Sequence, residues 1–489
     1  MLDASLTVVS LAVVLAFFAW IGIRVGRDRD LEEFSVARGT QSGTSLGLSF
    51  FASGIGAWVL FAPPEVGASI GIAGVVGYAL AATTPLVGLV LVGGRLRQLM
   101  PEGHGLLEFV RVRFGRAFHA YVLMITLLFM VVALCAELTA AGGVLARLSS
   151  ADPRLGIVAI AVVTAAYTAF GGLRASMITD RWQAYLLFGL LIVVGVTLAG
   201  NLPSAPARET EPLRQVGGLG VQVALTLIIA VTAPNLFHNG YWQRVWAARD
   251  QRALNRGALI GALTRFPVVL LAGLVGLLAA EAAVDLGDPP VPFFALLGDP
   301  PAWVLVAVLV LVVALVASTV DTLQNGLAAA VVTERPGMGL VGGRIATVLL
   351  TVPAVIVAFE GLSVLRIFLV ADLLCAATIV PALLGLWRRA TPLGAITGAV
   401  AGLAGAYGYG LVTGGSVAAA VKVATFDAGP TLGPFASALI ASAVVAVVVS
   451  LTGRRQADMS LLRSVGSLDV RDAEAIAGGR RRESEEVVA

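Results

Sequence analysis

Charged side chains are scarce in this sequence. Asp, Glu, Lys and Arg together make up 13% of the 489 residues, whereas 58% are hydrophobic. A soluble protein of this length carries about a quarter of its residues as charged side chains. Apolar runs recur from end to end, and each is long enough to cross a hydrocarbon core of roughly 30 Å. The scarcity of charge therefore excludes a soluble protein and predicts a polytopic membrane protein in contact with the lipid bilayer.

Other residue types with chemical functions are also rare. The two cysteines, Cys135 and Cys375, lie inside apolar segments, which indicates packing rather than a disulfide or a metal pair. The three histidines do not have the spacing of metal ligands. The net charge of +3 comes from arginines in short loops, so it does not indicate nucleic-acid binding. We find no nucleophile–base pair and no phosphate-binding loop, so the sequence does not favour an enzyme.

The apolar runs predict an all-α protein with thirteen transmembrane spans. They lie roughly at residues 5–24, 44–62, 67–95, 118–148, 156–172, 180–200, 219–240, 257–283, 302–331, 342–360, 363–387, 394–413 and 434–453. Residues 1–453 thus form a transmembrane domain. The polar tail, residues 454–489, is expected to be cytoplasmic and disordered.

Arginine is concentrated in the loops that follow odd-numbered spans and in the C-terminal tail. Positively charged loops stay on the cytoplasmic side of a membrane. An odd number of spans with a cytoplasmic C-terminus places the N-terminus outside. We therefore expect a multi-pass protein of the inner (plasma) membrane.

Two of the predicted spans contain helix-breaking residues. Span 2 has Gly54 and Gly56 in its middle, and span 7 contains Pro234 followed by Asn235. Non-helical backbone at membrane depth is tolerated only beside protein or a water-filled cavity. Because these spans are five apart, they predict two five-helix repeats (about 44–200 and 219–387), each starting with an interrupted helix, with spans 1, 12 and 13 peripheral. Alternatively, the glycines only permit close helix packing.

Three motifs in the expected order resemble those of the sodium:solute symporter family. They are residues 167–175 (YTAFGGLRA) followed by Thr179-Asp180 and Gln183, residues 241–249 (YWQRVWAAR), and Ala317-Ser318-Thr319. Residues 101–111 (PEGHGLLEFVR) are similar to a loop of the family's urea transporters. The resemblance covers spans 1 to about 11 and implies a leucine-transporter-type inverted-repeat fold.

This resemblance implies a sodium site between spans 2 and 9. Sodium prefers oxygen ligands, and an interrupted helix frees backbone carbonyls to supply them. The implied ligands are the carbonyls of Ala52, Ile55 and Leu315 and the hydroxyls of Ser318 and Thr319. Alternatively, Ser318 and Thr319 only bond back to the preceding helical turn. Gly54 stands where several members of the family have a polar residue, which leaves the stoichiometry open.

Among the acidic residues within predicted spans, where charge is costly and usually functional, four are candidates for specific roles. Asp180 and Asp321 are candidates for an ion path or a second cation site, and Asp321 alternatively pairs with an arginine. Glu137 either binds solute, takes a proton or satisfies an internal polar contact. Asp372 is expected to pair with Arg366 or Arg265.

The candidate residues for solute binding surround the two helix breaks. They are Trp58, Tyr78, Asn235, His238, Asn239 and Glu137. Sugar-carrying relatives have an acidic residue at the position of Tyr78, so a sugar is disfavoured. Urea, a small amino acid such as proline, and a monocarboxylate remain open.

The sequence thus predicts sodium-coupled symport of a small organic solute into the cell by alternating access, with Na⁺ as the coupling ion. The protein is expected to be a monomer or a weak oligomer without a nucleic-acid partner. The alternatives are a transporter-like membrane sensor and a proton-coupled or uncoupled permease.

Overall fold

The computed structural model describes residues 1–25, 30–200, 217–282, 284–287, 290–361, 364–426, 431–453 and 456–475. Its helices are α1 (Ala4–Val25), α2 (Leu31–Ser35), α3 (Gly43–Gly54), α4 (Ala62–Ile70), α5 (Ile72–Ala81), α6 (Thr84–Gly88), α7 (Gly94–Leu99), α8 (Leu106–Leu148), α9 (Pro153–Gly200), α10 (Gly218–Asn235), α11 (Asn239–Ala247), α12 (Gln251–Glu281), α13 (Pro292–Leu297), α14 (Ala302–Glu334), α15 (Gly339–Ala358), α16 (Val364–Leu383), α17 (Pro392–Gly414), α18 (Val417–Ala424), α19 (Leu432–Thr452) and α20 (468–475). Short 3-10 helices lie at Ala57–Leu60, Leu384–Leu386 and Met459–Ser464.

The protein is all-α in the described ranges, as predicted, but the count of thirteen spans is not confirmed. Eleven described helices are long and apolar enough to cross a membrane, and Gly43–Gly54 with Ala57–Ile70 forms a further span, bent by 56°. The predicted and observed numbers of spans differ because the 48 residues of α9 contain both predicted spans 5 and 6. A straight helix of that length would extend about 72 Å, more than twice the hydrocarbon thickness. It is interrupted at Gly172, whose φ of 54° favours glycine.

Both predicted helix breaks are present. After α3 ends at Gly54, the backbone of Ile55 is extended, and helical structure resumes at Ala57. In the second repeat, α10 ends at Asn235, the backbone of His238 is extended, and α11 begins at Asn239. The two five-helix units therefore each begin with an interrupted helix, as the sequence predicts.

Helix α14 forms the centre of the molecule. Most of its side chains are buried, and it packs against α8, α9 and the first interrupted helix, α3. Helix α12 packs along both α3 and α4. The late helices α17 and α19 pack mainly against each other, α16 and α18. The broken helix α3 therefore contacts both α14 and α12.

Part of the C-terminal tail is folded, unlike the disordered tail expected from the sequence. The buried side chain of Leu468 contacts Leu31 and Val332. Asp469 accepts a hydrogen bond from the Leu31 backbone N–H at 3.0 Å, and Arg471 donates to the Thr333 carbonyl at 2.9 Å. The tail thus ties α2 to the end of α14, whereas residues 454–455 and 476–489 lie outside the described residues.

A charged cluster lies beneath this tail. His104 places its two ring nitrogens 2.8 Å from Glu32 Oε2 and 3.0 Å from Glu108 Oε2. Arg38 bonds to the same Glu32 carboxylate, and Arg471 bonds to Glu108. Burial lowers the pKa of His104, but the two carboxylates outweigh it and raise that pKa to about 9. His104 is therefore a cation at neutral pH, with both N–H groups paired.

We expect the stability of this cluster to fall as the pH rises from about 6.5 to about 9. Because the pKa of His104 is raised from 6.5 to about 9 in the folded protein, its contribution is complete below pH 6.5 and is lost through pH 9. One pKa unit corresponds to about 1.4 kcal/mol. Thermal unfolding of wild type and His104→Gln across this range measures the effect. Equal slopes in both proteins would contradict the assignment.

Candidate substrate and ion site

The break in α3 is stabilised by two charged side chains from other helices. Arg265 of α12 donates through Nε to the carbonyl of Phe50 at 2.8 Å. Glu137 of α8 accepts a hydrogen bond from the Ala57 backbone N–H at 2.9 Å. These backbone groups belong to the interrupted helix, so in a membrane they need such partners. Glu137 therefore satisfies an internal polar contact, which is one of the three roles that the sequence left open for it.

Glycine is required at this break because the two side chains approach the backbone closely. A Cβ atom on Gly54 would overlap the guanidinium of Arg265, and one on Gly56 would overlap the carboxylate of Glu137. The absence of a side chain at these positions lets the two charged groups reach the ends of the broken helix.

The Ser–Thr pair of α14 lies near this break, because Thr319 lines one cavity with Ser53 and Gly54, and Ser318 shares the partner Asp180 with Ser49 of α3. Ser318 donates to Asp180 Oδ1 at 2.6 Å. Thr319 donates to the Leu315 carbonyl at 3.2 Å, which is the back-bonding considered as an alternative. A hydroxyl that donates its proton keeps two acceptor lone pairs. Both oxygens therefore fit the ligand set of a hard cation.

Asp180 is the partner of a buried arginine. Arg244 of α11 donates through Nη2 to Asp180 Oδ2 at 2.9 Å, and neither side chain is exposed. The same guanidinium binds the hydroxyls of Ser49 at 2.8 Å and Thr322 at 3.0 Å. Asp180 is thus already neutralised by a cation of the protein itself. This contact weighs against Asp180 as a ligand of a second metal ion.

Asp321 does not pair with an arginine in the described part of the chain. It accepts hydrogen bonds from Tyr167 at 2.6 Å, Ser176 at 2.7 Å and Thr179 at 3.2 Å, all from α9. These donors were not predicted from the sequence, although all three lie in or just after the motif that carries the family resemblance. Three hydroxyls stabilise the carboxylate without a metal ion.

A cavity of about 90 Å³ lies next to the break. Five of the six predicted solute-binding residues line it, namely Trp58, Tyr78, Glu137, Asn235 and His238. Asn239 is absent from the lining, because its side-chain amide donates to the Gly326 carbonyl at 2.9 Å. Thr319, Ser53 and Gly54 also line the cavity. The candidate solute and ion sites are therefore adjacent.

The walls of the cavity combine aromatic rings with a few polar groups. Trp58 and Tyr78 stack with their ring centroids 5.6 Å apart, and His238 stacks on Tyr241 at 4.3 Å. Both ring nitrogens of His238 lack a hydrogen-bond partner among the described residues. The same holds for Oδ1 of Asp372, which the sequence analysis did not include in the solute site. Apolar walls with a few convergent polar groups are typical of small-molecule sites.

The expected pairing of Asp372 with an arginine is not found within the described residues. Arg265 instead donates to the Phe50 carbonyl and to the Tyr241 hydroxyl, and the side chain of Arg366 lies outside the described residues. No group of three or more His, Cys, Asp or Glu residues in the described ranges has the arrangement of a metal site.

Comparisons with known proteins agree with this architecture. A family model described as the sodium:solute symporter family matches residues 34–333. A spermidine transporter of Candida albicans is 30% identical over 385 residues, which cover 77% of this chain and 73% of the relative. A urea-proton symporter of Oryza sativa is 24% identical over 458 residues, or 80% of this chain and 62% of the relative.

Solved structures show the same fold. A substrate-bound, outward-open Na⁺-coupled sialic acid symporter has a TM-score of 0.72 at 14% identity, covering 92% of this chain and 98% of that chain. A nucleobase-cation-symport-1 family transporter in a closed conformation has a TM-score of 0.57 at 12% identity, covering 88% of this chain and 97% of that chain. At these identities the likeness concerns the fold alone.

Proposed function

Because the chain belongs to the sodium:solute symporter family, we propose that it carries a small nitrogen-containing organic solute into the cell together with sodium. The observation that supports sodium most directly is the position of Ser318 and Thr319 beside the break in α3. Their hydroxyls donate to Asp180 and to the Leu315 carbonyl, so their lone pairs are free for a cation. The carbonyls of Ala52, Ile55 and Leu315 complete the proposed ligand set.

Coupling follows from the adjacency of the two sites. Thr319 belongs to the proposed sodium site and also lines the cavity. A cation bound there fixes the end of α3, and α3 and the turn that follows it contribute Ser53, Gly54 and Trp58 to the cavity wall. Sodium thereby favours the state in which the cavity is formed. Only such a difference in affinity between two states can drive alternating access.

The cavity and the relatives limit the chemical class of the proposed solute. The relatives are named for spermidine and for urea, both nitrogen compounds. Glu137 and Asp372 both line the cavity, and two acidic side chains disfavour the monocarboxylate class that the sequence left open. The relative named as a urea-proton symporter makes proton coupling the competing hypothesis.

The test is uptake into proteoliposomes with and without an inward sodium gradient, using labelled spermidine, urea, proline and lactate. We expect sodium-dependent accumulation of a nitrogen-containing solute by wild type. In Ser318→Ala/Thr319→Ala we expect the half-saturating sodium concentration to rise at least tenfold, because two of five ligands are lost.

Thr347→Ala serves as the matched control, since Thr347 is equally buried but donates to the Gly343 carbonyl in α15. Uptake that depends on a proton gradient and not on sodium would show that the coupling ion is a proton. A half-saturating sodium concentration that is unchanged in the double variant would mean that the ion site lies elsewhere.

A further inference from the structure

Within the proposed function, we propose that the solute is an organic cation and that Asp372 binds its ammonium group. Asp372 lies on α16 and lines the cavity together with Ser53 and Gly54 of the broken helix α3. It is only 5% exposed, yet its Oδ1 has no hydrogen-bond partner in the described ranges. Burying a carboxylate oxygen without a hydrogen-bond donor costs free energy, so a ligand that supplies the donor would be stabilised there.

The other charged groups of the cavity are already paired with the protein. Arg265 is committed to the Phe50 carbonyl and the Tyr241 hydroxyl, and its guanidinium lies 5.3 Å from the centre of the Tyr241 ring. Glu137 accepts the Ala57 N–H at the start of the turn after the break. Glu137 and Arg265 have opposite signs, so an ionised Asp372 would leave one negative charge without a counter-ion among the described residues that line the cavity. A negative charge at this position favours the binding of a cationic solute.

The remaining walls fit a carbon chain that carries the ammonium group. Trp58 and Tyr78 present a stacked pair of rings, and Leu227, Ala230 and Val231 line the cavity as well. Aromatic faces attract alkylammonium groups, and apolar walls favour methylene groups. Urea has no methylene group and no charge, so neither feature would contribute to its binding. The cavity therefore favours an aliphatic amine over urea.

Binding to purified, full-length protein tests this assignment separately from transport. We would measure ligand-induced thermal stabilisation by spermidine, 1,4-diaminobutane and urea, with wild type, Asp372→Asn and Asp285→Asn. Asp285 is exposed in a loop and controls for the loss of one negative charge. We expect wild type and Asp285→Asn to bind the amines at least tenfold more tightly than urea. We expect Asp372→Asn to lose at least tenfold in amine affinity without losing thermal stability, since the substitution keeps the shape and removes a buried charge.

Each outcome separates this assignment from the symport proposal. Amine binding unchanged in Asp372→Asn, or urea binding without amine binding, would overturn the assignment and leave sodium-driven uptake intact. Amine binding that depends on Asp372, without sodium-driven uptake in proteoliposomes, would support the assignment and overturn the coupling. If Asp372→Asn were unstable, Asp372→Glu would replace it, and retained amine binding by this variant is the expected result. Loss of amine binding in a folded Asp372→Glu protein would count against a simple charge contact.

Discussion

Replacing Arg244 by Met is expected to lower the free energy of unfolding by about 3–5 kcal/mol, because it leaves the buried carboxylate of Asp180 without its cation. The same substitution removes the donors to Ser49 and Thr322. Unfolding in mixed micelles with increasing denaturing detergent measures the change. Arg95→Met controls for loss of an arginine, since Arg95 is exposed on α7.

The double variant Arg244→Met/Asp180→Asn distinguishes charge from packing. If the unpaired carboxylate causes the loss, the double variant is more stable than Arg244→Met alone, because it no longer buries an uncompensated charge. A double variant as unstable as the sum of the two single variants would show that the guanidinium acts through its contacts with Ser49, Thr322 and the Gly240 carbonyl instead.

Replacing Glu137 by Leu is expected to reduce uptake at least tenfold and to lower the free energy of unfolding by about 1–3 kcal/mol. The substitution removes the acceptor of the Ala57 N–H, which is then buried and unsatisfied at the helix break. It also removes one of the two acidic side chains that share the cavity wall with Arg265. Initial rates of uptake in proteoliposomes, normalised to the amount of folded protein, measure the functional part.

Glu137→Gln is the matched variant for this prediction. Its side-chain carbonyl can still accept the Ala57 N–H, so we expect it to keep most of the stability of wild type. Stability as low as that of Glu137→Leu would mean that the negative charge matters more than the hydrogen bond. Wild-type uptake by Glu137→Leu would contradict the role of this contact in forming the cavity.

The two helix breaks could be predicted because their cause is local. Glycine and proline weaken a helix through their own backbones, and Gly54, Gly56 and Pro234 lie where the structure has the breaks, although Pro267 and Pro353 lie inside helices that continue. The end of the first broken span was predicted too early. It was placed near residue 62, whereas Pro63 and Pro64 lie in the first turn of α4, where proline is tolerated, and α4 continues to Ile70.

The polar partners inside the site could not be predicted, because they come from distant parts of the chain. Helical spacing places Leu315, Ser318 and Thr319 on one face of α14, but it does not say which residue of another helix faces them. The Arg244–Asp180 pair joins residues 64 apart in sequence, and the Glu137–Ala57 contact joins residues 80 apart. A charged side chain in an apolar span indicates that it has a polar partner. Which residue that partner is depends on how the helices pack.

The folded tail has a consequence for the biosynthesis of this protein. Arg471 contacts Glu108, 363 residues earlier, and Asp469 contacts Leu31, 438 residues earlier. A ribosome reaches these tail residues only after all the helices from α1 to α19 have been made, and chains grow at about 5–20 residues per second. During that interval Glu108 lacks Arg471, and Glu32 lacks the Leu468 backbone N–H. Assembly of this face of the protein is therefore completed only after residue 471 has been translated and has emerged from the ribosome.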